Sequence, residues 1–171
     1  MKQAICILFL AAGCFTFGMA QEPDSTSLTK VGDRVPEFSI ELVSGETVQM
    51  EHLRGKVVLI NFFATWCPPC QQELPVLEEK VWKQWKDADF QLISIGREHT
   101  KEEVAAFKKE KGFTLPMGPD PERNIYKKFA LAYIPRNYVV DRDGKIVYQA
   151  MGYTEEEFQK ILDLLAKLIK K

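Results

Sequence analysis

The residues of this chain best suited to covalent chemistry are two cysteines separated by two prolines, Cys67-Pro68-Pro69-Cys70. Three positions apart on a helix, their sulfurs leave the same face and can close or reopen a disulfide with little backbone movement. An apolar run precedes the pair and a helical pattern follows it, which places it at a helix start. There, unpaired N–H groups and a partial positive charge favour a thiolate over a thiol. Proline fits a first helical turn, but Pro68 and Pro69 delete two of those N–H groups. The donors of Cys70 and Gln71 are left to face the Cys67 sulfur. The thiolate is then expected to be less stabilised, and the pair relatively reducing.

The other two cysteines, Cys6 and Cys14, fall in a segment set apart from the fold. Lys2, an uncharged and mostly apolar stretch from Ala4 to Phe17, and Gly18-Met19-Ala20 before Gln21 have the pattern of a cleaved signal peptide over residues 1–20. Ala4 to Ala20 also reaches the lower limit for an uncleaved membrane anchor. Ala11-Ala12-Gly13-Cys14 loosely fits a lipidation signal, against which the apolar Phe15-Thr16-Phe17 speaks. Each route exports the domain. Cleavage would leave Cys67 and Cys70 alone, and one closely spaced pair in an exported protein reads as redox-active.

A chain of 171 residues holds one domain with a real core, and 46% hydrophobic residues argue against disorder. A net charge of −1 gives no reason to expect nucleic acid or an anionic membrane as partner. Residues 21–33 read as a linker; polar Gln21 to Lys30 has no hydrophobic periodicity, like a frayed terminus. Residues 34–171 form the domain. Phe38–Leu42 and Thr47–Met50 alternate around Ser44-Gly45-Glu46, a hairpin. Lys56–Phe63 and Phe90–Ile95 read as strands, the first covered on both faces. Leu74, Leu77, Val81 and Trp85 mark the helix after the cysteines, with Pro75 expected to kink it. Thr100 to Glu103 has the capping-box pattern of a helix that Gly112 ends. Pro116–Pro121 reads as loop and Asn124–Ala130 as a short helix. Asn137–Val140 and Lys145–Ala150 read as strands joined at Asp141-Arg142-Asp143-Gly144, and Thr154 opens a last helix. The order implies an α/β fold, a mixed sheet with helices on both faces.

Phe62-Phe63-Ala64-Thr65-Trp66-Cys67-Pro68-Pro69-Cys70 between strand and helix resembles the thioredoxin superfamily. Within it, the leading hairpin, Gly55 to Phe62 and Ile134-Pro135 are similar to the TlpA/ResA-like branch of exported thiol–disulfide oxidoreductases. The resemblance covers residues 34–171. It implies a thioredoxin-like fold, protein thiol or disulfide substrates, no cofactor, and an upstream membrane or periplasmic electron donor. Cys67 is the implied nucleophile and Cys70 the residue that resolves the mixed disulfide. Glu73, on the helix face of Cys70, is implied to border the site and to move protons, because Asn61 stands where thioredoxin proper has a buried aspartate. Ile134-Pro135 is implied to carry a cis bond and to offer its backbone to an extended substrate. Trp66, Pro68 and Pro69 would flank the substrate. Arg136 reads as a loop-surface arginine, or as an attraction for an acidic partner.

Two other functions share some of these features. A thiol peroxidase on this fold would carry Thr or Ser three residues before the reactive cysteine, where Ala64 stands, and proline in place of Ile60. A copper-binding thiol chaperone would gather methionines, but Met50, Met117 and Met151 are scattered. His52 and His99 with two cysteines would make four zinc ligands, but neither has a ligand at finger-like spacing, so no metal site is expected. Asp141 to Gly144 lacks the later ligands of a calcium loop.

Overall fold

The computed structural model describes residues 24–169, so the expected signal peptide or anchor lies outside it. Strands β1 (Ser39–Glu41) and β2 (Thr47–Gln49) form an antiparallel hairpin with Ile40 opposite Val48. Five further strands make the central sheet: β3 (Val57–Phe63), β4 (Phe90–Arg97), β5 (Met117–Asp120), β6 (Arg136–Val140) and β7 (Ile146–Met151). Their spatial order is β5-β4-β3-β6-β7. All seven residues of β3 are buried, as suits a run of β-branched and aromatic side chains at the middle of a sheet. It pairs parallel with β4 and antiparallel with β6.

The helices are α1 (Pro68–Val76), α2 (Lys83–Trp85), α3 (Lys101–Lys111) and α4 (Glu155–Ile169), with a π-helical stretch, Leu77–Trp82, joining the first two. The steps β3 to β4 and β4 to β5 are parallel, run the same way across the sheet and each pass through helix. Crossovers of one hand then place α1 and α3 on the same face. Leu74, Val104, Phe107, Phe158 and Ile161 share one core with Leu59, Phe63 and Leu92. On the other face Ile40, Leu42 and Val48 of the hairpin region pack with Tyr126 and Phe129 on Ile60, Phe62 and Tyr138. Among the described residues, helical cover on that second face is limited to two 3-10 turns, Met50–Leu53 and Tyr126–Lys128.

Three local expectations are corrected. Pro116–Pro121 is not all loop, because Met117–Asp120 pairs with Ser94–Arg97 as an edge strand. Pro119 is tolerated at an edge, and Gly118 is required by packing: a Cβ there would lie 2.7 Å from Ile40 Cδ1. The helix expected over 124–130 shrinks to the 3-10 turn, whose first N–H groups, on Ile125 and Tyr126, donate to the Asp120 carboxylate. After Pro75, which lacks an N–H, the helix widens into the π stretch without breaking.

The described part of the expected linker, residues 24–33, is fastened to the domain. Ser27 pairs with Ala130, Leu28 N–H donates to Phe129 O, and Leu131 N–H donates to Thr26 O. Arg136, read from sequence as a surface residue, is instead 2% exposed. Its guanidinium donates to Asp24 Oδ2 at 2.7 Å, to Ser27 Oγ at 2.8 Å and to Ala132 O at 3.0 Å. Burial works to raise the Asp24 carboxyl, but hydrogen bonds from Thr26, Ser27 and Arg136 outweigh it and hold the group well below the usual carboxylate range. Short polar side chains without periodicity hid this, since their partner lies more than a hundred residues away. Arg136→Leu strips the strap of its anchor, and we expect it to lower unfolding free energy by about 3 kcal/mol in urea titration. A loss below about 0.5 kcal/mol would mean the strap is not held this way.

Candidate active site

β3 ends at Phe63 and α1 begins at Pro68, so the cysteines stand where the strand turns into the helix. Cys67 and Cys70 are joined as a disulfide with Cα atoms 5.3 Å apart. Cys67 is the N-cap of α1, and its sulfur accepts from Cys70 N–H at 3.3 Å. The second expected donor points elsewhere, because Gln71 N–H bonds the Cys67 carbonyl at 3.0 Å. With prolines at the first two positions, one N–H of the first turn reaches the sulfur. Access is narrower than sequence implied. Cys67 is 3% exposed and Cys70 is fully buried.

The residues expected around the sulfurs are brought together. Trp66 is 60% exposed, and the Arg97 guanidinium lies 5.9 Å from its ring centroid. Pro68 is exposed and Pro69 partly so. The Ile134–Pro135 peptide is cis, and Ile134 O lies 3.8 Å from Cys67 Sγ. That loop is braced from behind, where Tyr126 Oη donates to Tyr133 O at 2.5 Å. Tyr133 holds a left-handed backbone, φ 68°, and is itself exposed.

Glu73 is 1% exposed, a carboxyl inside the fold and not on the helix's solvated face. One carboxylate oxygen accepts from Asn61 Nδ2 at 2.9 Å and the other from Asn137 Nδ2. Asn61 is fixed in turn by Ser94 Oγ and by Asn137 Oδ1. Burial lifts the Glu73 pKa from 4.5 to about 7, against the two amide donors, which pull it down. A buried carboxyl near neutrality can hold or release a proton at working pH. It lies on the same side of the helix as Cys70, one turn on.

Sequence reasoning missed the parts that Asn137 and the side chains of Gln71 and His99 play here. Gln71 Nε2 donates to Thr65 O, and Thr65 N–H donates to His99 Nε2 at 3.0 Å. For His99 the better clue than zinc-ligand spacing is the parallel register, in which Gly96 lies opposite Phe63. Three residues past each, His99 and Trp66 must fall at the same sheet edge, where the carboxyl ends of strands gather function. His52 lies away from the cysteines on a 3-10 turn, exposed beside Glu51. Among the described residues no cluster of three or more His, Cys, Asp or Glu could hold a metal.

A profile of the AhpC/TSA family matches residues 31–149 of the chain. The chain belongs to the AhpC/TSA family. Within the AhpC/TSA fold it is similar to the thiol-disulfide oxidoreductase ResA of Bacillus thuringiensis, 27% identical over 161 residues and 92% of each chain. It is 34% identical to the thioredoxin-like protein YneN of Bacillus subtilis, over 78% of this chain and 79% of that one. Its fold matches the solution structure of a candidate protein disulfide isomerase from Bacteroides thetaiotaomicron with a TM-score of 0.82. That protein is 41% identical, with 85% of this chain and 94% of the other covered. The Trp66-Cys67-Pro68-Pro69-Cys70 loop, the cis-proline loop and the leading hairpin all lie inside the matched family region.

Proposed function

We propose that the chain reduces disulfides of exported proteins, with Cys67 as nucleophile, Cys70 as resolving thiol and Glu73 as the group that takes up the Cys70 proton. The enzyme class is thiol–disulfide oxidoreductase with protein thiols as partners, and the proposal adds substrate compartment, direction and residue roles. The reduced Cys67 thiolate attacks one sulfur of a substrate disulfide, and the other sulfur leaves as a thiolate. Cys70 then gives its proton to Glu73 and attacks Cys67. The substrate's second sulfur is released, and the Cys67–Cys70 disulfide remains. An upstream dithiol donor reverses the last state.

The observation that carries the direction is the single N–H at the Cys67 sulfur. Fewer donors stabilise the thiolate less, which raises the energy of the reduced form and makes the pair a better reductant. Dithiol couples of this kind run from about −270 mV for reductants to about −120 mV for oxidants. A redox titration against glutathione is expected to give a value below about −200 mV, and one near −120 mV would reverse the assigned direction. Pro68→Ala and Pro69→Ala each restore a donor. The potential should rise by about 10–20 mV in each variant, and a fall would remove the physical basis for the assignment.

Export rests on the leader-like residues 1–20. Among the described residues no helix is long and apolar enough to cross a membrane. Mass spectrometry of the native amino terminus decides between cleavage before Gln21, which we expect, and an anchored or lipidated form. The peroxidase alternative lacks a hydroxyl at Ala64, which is buried. For the copper alternative, Met50 and Met117 are buried in the fold and Met151 Sδ contacts Arg136.

A further inference from the structure

His99 takes no part in the exchange described above, yet it is 5% exposed at the foot of the cysteine loop. Its ring stacks near Phe63, with centroids 6.4 Å apart. Because Thr65 N–H donates to Nε2, that nitrogen carries no proton, and the ring's N–H sits on Nδ1, 3.5 Å from Glu103 Oε2. Glu103 is itself fixed as the third residue of α3, accepting from Thr100 N–H at 2.8 Å. Glu98, one residue before, is held at φ 65°, a conformation that side chains rarely adopt. Gly96 lets α3 pack close beside this histidine, since a Cβ there would lie 2.7 Å from Val104 Cγ2, with His99 Cβ and the Phe63 ring each at 3.4 Å. The other end of the Thr65 peptide is fastened too, by Gln71 Nε2 on its carbonyl.

We infer that His99 is a positioning residue for the nucleophilic sulfur, acting through the Thr65 peptide two residues before Cys67. Residues 64–67 belong to neither β3 nor α1, so no regular ladder sets their path. The histidine on β4's exit and the glutamine on α1 replace that ladder with two side-chain bonds. They fix the direction in which the chain enters the N-cap, and so the line along which Cys67 meets an incoming disulfide. The inference rests on the reading of Cys67 as nucleophile.

The test uses reduced protein and a small aromatic disulfide as substrate, with the second-order exchange rate and thermal midpoint read together. His99→Leu keeps bulk but removes the acceptor. It should slow exchange about tenfold while staying folded. His99→Gln places Oε1 where Nε2 stood, and should return the rate to within about threefold of the parent. A Leu variant as fast as the parent, or a folded Gln variant as slow as the Leu variant, overturns the inference. If the Leu variant does not fold, nitrogen NMR of the unaltered protein decides. An unprotonated Nε2 coupled to the Thr65 amide supports the role, and a protonated Nε2 defeats it. Cys67→Ser distinguishes the two readings, since residual exchange in that variant sinks the nucleophile assignment and not the histidine alone.

Discussion

Cys70→Ser is expected to turn the protein into a trap that accumulates mixed disulfides with its substrates through Cys67. The attacking sulfur keeps its helix N-cap place and its contact with Ile134 O, but the buried group that would release the partner is gone. Non-reducing electrophoresis of cells expressing the full chain should show adducts that disappear on reduction. Cys67→Ser should show none and should lose exchange by about 10³-fold or more, since a hydroxyl at neutral pH is not a comparable nucleophile. Equal trapping by both serine variants would mean the two sulfurs are interchangeable. Their places, Cys67 as N-cap beside Ile134 O and Cys70 inside the first turn, argue that they are not.

Glu73→Gln carries the second large effect, and its sign differs between stability and activity. In the folded protein burial raises the carboxyl from 4.5 to about 7, so the native state holds its proton more tightly than the unfolded chain. Unfolding releases that proton between those pH values. Stability is therefore full below about pH 4.5 and declines as pH rises towards 7, by about 3 kcal/mol in all. A glutamine resembles the protonated form and loses no proton, so the variant should be flat over this range. Above pH 7 it should be the more stable protein, which urea unfolding at pH 4.5 and pH 8 would show. A variant less stable than the parent at both pH values would mean that the amide pair Asn61 and Asn137 needs the carboxylate. Activity should move the other way. Without a group to take the Cys70 proton, resolution of the mixed disulfide should slow by about a hundredfold, and the rise in rate near pH 7 should vanish.

Much of this arrangement was legible in the chain. β3 was readable because Val57 to Phe63 is apolar but for Asn61 and rich in β-branched and aromatic side chains, and α3 because Thr100, Glu103 and Gly112 write both of its ends. The cysteines and Ile134-Pro135 were readable as a pattern, and Glu73 from its offset to Cys70. What stayed hidden depends on distant pairings. β5 is four residues containing glycine and proline, and it becomes a strand only because β4 offers an open edge and Ile40 fits over Gly118. Arg136 is buried by a strap from the other end of the chain. Asn137 carries no motif, and its value lies in the carboxylate that a helix 64 residues earlier points at it.

Exchange depends on Cys67 being the sulfur that partners meet, ionised more readily than Cys70. Fully reduced protein, pulsed with iodoacetamide across pH 5 to 10 and mapped by peptide mass spectrometry, measures this directly. Cys67 should be modified first, with an apparent pKa below the ordinary thiol value of about 8.5, while Cys70 is protected until the fold opens. Modification of Cys70 first, or equal resistance of both thiols in the folded protein, would contradict the mechanism.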